Sequence, residues 1–197
     1  MNFVIANATP FYMDQELKDR FFQAEQESPG SWFFRAVRLR AAADRIDETL
    51  SPVHDDEPVV SFLPEYHLLL GLAFENLLKG YIVLVRLESG MSPSLPKECY
   101  VHTLETLAVR PECSALQLTA GEIAALTRLS PYIEWAGRYP LPKHSSEMVV
   151  IYSGSNERRV EQALWNRLVP LLHDRAWVMK GGPLCMGGTK LHLKRRP

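Results

Sequence analysis

Cysteine is scarce in this chain. There are three (Cys99, Cys113 and Cys185), odd in number, scattered, and without a Cys-x-x-Cys pair. That excludes a disulfide framework, argues against a zinc site, and matches the cysteine usage of a reducing cytoplasm. A surplus of charge is also missing: 22 Lys and Arg stand against 23 Asp and Glu, a net charge of −1. No global field therefore draws nucleic acid, although local basic clusters keep that ability. The chain has no Gly-rich phosphate loop and no Gly-x-Ser-x-Gly, so P-loop and α/β-hydrolase readings have no footing. His173-Asp174 lacks the His-Glu-x-x-His spacing of a metal-binding helix. No metal and no cofactor are expected. The start, MNFVIANATPFYMDQ, has no basic opening followed by an apolar run, so no signal peptide is predicted. Strand-like sequence is nearly absent as well. Val149-Val150-Ile151-Tyr152 is the one such run, and four residues make no sheet alone.

What is present is helical patterning. With 197 residues, 46% hydrophobic and 23% charged, the chain has the size and balance of a single soluble, cytoplasmic domain. The expected organisation is one helical domain over 1–180, with N-terminal helices in 1–60, a core bundle in 61–180, and a flexible basic tail over 181–197. A first helix is predicted from Asp14 to Glu27, ended by Ser28-Pro29-Gly30. Ser31 is expected to cap a second, through Trp32, Phe33, Val37 and Leu39 to Leu50. Residues 51–58 (SPVHDDEP) read as an acidic surface loop. Leu63-Pro64 opens a long central helix that Ser89-Gly90 closes. Met91–Tyr100 reads as a loop, and a short helix follows from about His102 to Val109. Thr119 with Glu122 has the spacing of a capping box, opening a helix that runs to Trp135 before Gly137–Lys143 breaks it. Ser155 caps a last helix to about Met179, with Val160, Leu164, Leu168 and Leu172 on one face and Pro170 kinking it. The fold class is all-α, an up-and-down bundle with short connections.

The central helix carries the most information. Leu68–Arg86 (LLLGLAFENLLKGYIVLVR) is apolar on nearly every side except for Glu75, Asn76 and Lys79. Glu75 and Lys79 are spaced i,i+4 and can pair one turn apart. These polar groups make membrane insertion expensive, so the segment reads as the core of a bundle and not as a membrane span. Buried polar groups need partners, which marks this helix as the place to look for a site.

Three pieces in order resemble the HEPN superfamily, small helical bundles that serve as RNA-cleaving toxins, nucleotide-associated modules and defence proteins. They are Ala73-Phe74-Glu75-Asn76-Leu77-Leu78-Lys79, similar to the family's Ala-x-Glu-x-x-Leu-Lys; His102-Thr103-Leu104, like its His-Asp-Leu; and Arg138-Tyr139-Pro140 closing the next helix. The resemblance covers roughly Leu63 to Trp177. It implies a homodimer, an RNA or nucleotide ligand, and an antitoxin or nucleotidyltransferase partner. Catalytic members carry an Arg followed after four to six residues by a His, a spacing that Arg138 and His144 meet. Such an enzyme cleaves RNA without metal: His144 would take the ribose 2′-OH proton and Arg138 would hold the phosphate, oriented by Glu75 or Asn76. Two prolines between Arg138 and His144 depart from that pattern and place the pair in an extended loop.

Simpler roles stand beside these. Glu75 and Lys79 form an internal ion pair that also ties in Arg138 or His102, and His102 braces its short helix. Arg138 is then a helix-terminal arginine beside Tyr139, and His144 a surface histidine. Arg35 and Arg38, in a set with Arg40 and Arg45, are the best RNA-phosphate patch, joined by Lys143; Lys194-Arg195-Arg196 is weaker. The four tryptophans (Trp32, Trp135, Trp165, Trp177) read as core. Three functions remain open: a binding or regulatory module of a toxin–antitoxin or defence system, a metal-independent endoribonuclease, and a structural helical interaction protein.

Overall fold

A computed structural model describes residues 15–48, 62–139, 141–147 and 155–176. The strand-like run 149–152, the acidic segment 51–58, Pro140, Trp177 and the basic tail lie outside the described residues. Among the described residues the structure is all-α, without a strand. Its helices are α1 (Gln15–Gln26), α2 (Pro29–Asp47), α3 (Leu63–Glu88), α4 (Leu104–Ala108), α5 (Ala120–Pro131) and α6 (Ser155–Ala176).

The termini of these helices follow from local chemistry. Ser28, not Ser31, caps α2: its Oγ accepts from the Ser31 N–H at 3.3 Å, and Pro29 sits in the first turn. Pro29 and Gly30 therefore open the second helix, because proline at the first helical position loses no hydrogen bond. At the far end of α3, Gly90 takes φ +70°. Its N–H bonds the Leu87 carbonyl at 3.1 Å and the Met91 N–H bonds Arg86 at 2.9 Å. This is a left-handed glycine stop of Schellman type. The capping box at α5 is complete: Glu122 N–H donates to Thr119 Oγ1 at 3.3 Å, and Thr119 N–H to Glu122 Oε2 at 2.8 Å.

Two stretches depart from expectation. The short helix starts at Leu104, two residues after His102, and a 3₁₀ turn over Pro111–Leu116 follows where none was predicted. The α5 pattern, expected to run as one helix to Trp135, ends as α-helix at Pro131 and continues as a π turn over Tyr132–Ala136. Pro131 has no N–H to give to the α ladder, and the wider turn closes with Gly137 N–H on the Tyr132 carbonyl at 3.1 Å.

The central helix α3 is the axis of the core. Leu70, Ala73, Phe74, Leu77, Leu78, Ile82 and Val83 are buried along it, with α2 as its main neighbour and α4, α5, α6 and the π turn around the rest. This helix is long and apolar enough to cross a membrane, and it lies largely buried inside the bundle. Phe33, Ala36 and Ala43 from α2, Leu126 and Leu129 from α5, and Leu164, Leu168 and Leu172 from α6 complete the same cluster. Trp165 belongs to it, while Trp32 is partly buried and bonds the Gln26 carbonyl at 2.9 Å.

Candidate functional site

The three polar residues at the centre of α3, Glu75, Asn76 and Lys79, all have partners. Lys79 Nζ donates to Glu75 Oε1 at 2.7 Å, with both side chains 7% exposed. The other carboxylate oxygen, Oε2, lies 2.9 Å from His102 Nδ1. A carboxylate only accepts, so Nδ1 carries the proton in this contact. The His102 side chain is 55% exposed. The buried pair thus reaches the surface through one imidazole. Of the two partners expected for Glu75 and Lys79, the structure selects His102.

Asn76 turns inward on its own helix, its Nδ2 donating to the Leu72 carbonyl at 2.7 Å. Neither Glu75 nor Asn76 orients Arg138. The Arg138 Nη2 instead donates to the Ile133 and Glu134 carbonyls at 2.5 and 2.6 Å, and the guanidinium lies 5.8 Å from the centre of the Tyr139 ring. A π turn leaves terminal carbonyls without helical donors, and a cation there satisfies them and complements the helix dipole. Arg138 is therefore a helix-terminal arginine on an exposed residue. Thr103 joins the same region: its hydroxyl donates to Glu134 Oε1 at 3.0 Å. The Glu75–His102 contact and the Thr103–Glu134 contact are brought together by chain adjacency of His102 and Thr103, and Arg138 holds the main-chain carbonyl of that same Glu134.

His144 and Lys143 are exposed in the segment after the π turn. Among the described residues, no hydrogen bond or ion pair joins His144 to Arg138. Arg35 and Arg38 are exposed on α2, but Arg40, expected in the same basic set, is buried. The reason is its register: Phe33, Ala36, Arg40 and Ala43 share the buried face of α2. Arg45 pairs with Glu48 at 2.8 Å on the surface. Burial pushes the Cys113 thiol up to about 12, which makes it an inert core group. Among the described residues no three His, Cys, Asp or Glu side chains converge as metal ligands.

One polar cluster had escaped the sequence reading: Arg40, Tyr66, His67, Arg128, Arg158 and Glu161, where α2, α3, α5 and α6 meet. The signal was present, since Glu161 stands on the apolar stripe of Leu164, Trp165, Leu168 and Leu172. A charge on a buried stripe marks an internal partner. No protein-family model, no curated protein and no solved structure matches this chain.

Proposed function

We propose that this bundle is a HEPN-like binding or regulatory module, of the kind found in toxin–antitoxin or defence systems, that takes an RNA or nucleotide phosphate at the His102–Arg138 surface as a homodimer. The observation that carries the reading is the buried Glu75–Lys79 pair meeting the half-exposed His102, whose chain neighbour Thr103 bonds the Glu134 side chain while Arg138 holds the Glu134 carbonyl. Buried charge is costly to keep, and here it fixes the orientation of a surface imidazole. Tyr139 offers an exposed ring beside Arg138, suited to stacking on a base. Lys143 adds a cation in the following segment, and Arg35 and Arg38 offer further phosphate contacts.

The engagement of Arg138 with backbone carbonyls favours binding over catalysis, because part of its donor set is committed to the fold. The second reading, a metal-independent endoribonuclease using Arg138 and His144 across a two-fold axis, draws on the exposure of both side chains. One experiment separates the two. A labelled mixed RNA is incubated in EDTA with wild type, Arg138→Ala and His144→Ala, and both anisotropy and cleavage are followed. The module reading expects salt-sensitive binding, weakened several-fold by Arg138→Ala, with the RNA intact. Cleavage lost in His144→Ala, leaving 2′,3′-cyclic phosphate ends, would establish the nuclease instead. Neither binding nor cleavage would leave the structural interaction protein.

A further inference from the structure

The His102 ring is anchored by one edge. Its Nδ1 lies 2.9 Å from Glu75 Oε2, on a carboxylate side chain only 7% exposed, while 55% of the His102 side chain meets solvent. Glu75 is itself fixed, because Lys79 Nζ bonds its Oε1 at 2.7 Å. The ring therefore has a set orientation: Nδ1 is committed as a donor to a buried acceptor, and the exposed part of the ring lies on the Nε2 side.

The charged groups around this ring come from several elements. Glu75 faces it from α3, with Lys79 on the far carboxylate oxygen. Glu105 stands on α4 and accepts from the Ser130 hydroxyl at 2.8 Å. On the π turn, Glu134 accepts from the adjacent Thr103 at 3.0 Å, and Arg138 holds the Glu134 carbonyl. Lys97 and Glu98 are exposed on the 3₁₀ turn that precedes the ring.

A neutral imidazole has one proton for two nitrogens. A histidine free of such a contact can place that proton on either nitrogen, and so can donate to an anion while neutral. His102 has no such choice, since Glu75 takes the Nδ1 proton. A neutral ring then offers only a lone pair at Nε2, and a phosphate oxygen offers only lone pairs in return. The ring can meet a phosphate oxygen only as an imidazolium, with a charge-assisted bond at each nitrogen. A ligand that favours the protonated ring takes a proton from solution as it binds, and the coupling is reciprocal.

We propose that His102 takes an RNA or nucleotide phosphate as an imidazolium, donating from Nδ1 to Glu75 and from Nε2 to a phosphate oxygen, so that binding takes up one proton and weakens as pH rises. This coupling rests on the phosphate-binding reading of the surface and adds its regulation by pH.

Labelled RNA tests it, because a phosphodiester keeps its charge from pH 5.5 to 8.5. Anisotropy titrations over that range at fixed ionic strength give the affinity of wild type and H102Q. Calorimetry at pH 7.5 in buffers of different ionisation heat counts the protons. Wild type should lose affinity as pH rises, by up to about tenfold per pH unit for one proton, and should show net proton uptake. Glutamine keeps a neutral donor but cannot titrate, so H102Q should bind with a flatter profile and without that uptake. RNA bound with a flat profile and no uptake by wild type overturns the coupling and leaves the phosphate-binding reading standing. Uptake of the same size in H102Q overturns it too, by assigning the proton to another group. RNA bound at no pH overturns the reading and the coupling together. Should H102Q fail to fold, ring-nitrogen NMR of histidine-labelled wild type decides. Added RNA at pH 7.5 should leave both nitrogens of His102, assigned through Thr103, protonated; an unprotonated Nε2 in the complex overturns the proposal.

Discussion

Glu75 and His102 stand 27 positions apart in the chain, yet Oε2 of the one lies 2.9 Å from Nδ1 of the other. The contact joins the middle of the most buried helix to the extended residues that lead into α4. Lys79 holds the second carboxylate oxygen, so the acid is fixed from both sides. A buried carboxylate held in this way meets the surface through the half-exposed His102 ring.

Removing Lys79 tests how much the pair matters. Lys79→Met leaves Glu75 buried with only His102 beside it, and breaking a buried pair from one side costs about 3–5 kcal/mol. Urea unfolding of Lys79→Met should show a loss of this size. The double variant Glu75→Gln/Lys79→Met should recover part of it, because no uncompensated charge remains. If the single variant unfolded at the wild-type midpoint, the pair would be idle in the fold.

The capping box at α5 has a smaller, sharper effect. Thr119→Ala removes the acceptor for the Glu122 N–H, which is worth about 1 kcal/mol at a helix N-terminus. Glu122 also accepts from Arg167 Nε and Nη2 at 3.0 and 2.7 Å, so the cap locks α5 to α6. Glu122→Ala should therefore cost more than Thr119→Ala in thermal melts. Equal losses would mean that the Arg167 contact contributes nothing.

These features differ in how far the sequence announced them. The Thr119–Glu122 spacing, the glycine stop after α3 and the apolar surroundings of Glu75 are local signals, and the structure follows them. The cap at Ser28 was misplaced because proline in Ser28-Pro29-Gly30 reads equally as a stop or as a first helical residue. The burial of Arg40 and Glu161 was legible only by placing each charge on its helix's apolar stripe. Which carboxylate meets which guanidinium depended on how four helices cross, and no local spacing encodes that. The helix-terminal role of Arg138 was legible from its place just past the helix, where the last carbonyls lack helical donors, and the structure shows it on the Ile133 and Glu134 carbonyls.

Close approach at two glycines gives another test. A Cβ on Gly80 would lie 2.9 Å from both Leu172 Cδ2 and Trp32 Cβ, where α3 meets α6 and α2. A Cβ on Gly137 would lie 2.5 Å from Leu68 Cβ and 2.8 Å from the Tyr132 carbonyl oxygen. Both alanine variants should be destabilised by about 1–3 kcal/mol through overpacking. Gly137→Ala should also weaken any ligand of the Arg138 surface, because the backbone that must shift there carries Arg138. Gly80→Ala should leave such binding intact in the folded fraction. Binding equally impaired in both would point to global loosening.

His67 makes stability depend on pH in a direction that can be worked out. It is 1% exposed, its ring 4.6 Å from that of Tyr132 and 5.0 Å from that of Tyr66. Burial, with the nearby charges of Arg128 and Arg158, lowers its pKa from 6.5 to about 4; the Leu63 carbonyl pulls weakly the other way without reaching hydrogen-bond geometry. Above pH 6.5 the ring is neutral in both the folded and the unfolded chain, and it adds no pH dependence. Between pH 6.5 and about 4 the unfolded chain binds a proton that the folded chain refuses, so stability falls as pH falls. The full loss amounts to about 3 kcal/mol, at 1.36 kcal/mol for each pKa unit. His67→Phe keeps an aromatic ring against Tyr132 and cannot titrate. Urea midpoints at pH 7, 5.5 and 4.5 should fall less steeply for His67→Phe than for wild type. The variant should also be at least as stable at pH 7, since it removes two buried nitrogens that lack partners. Parallel profiles for the two proteins would mean that the His67 ring is protonated in the folded chain as readily as in water.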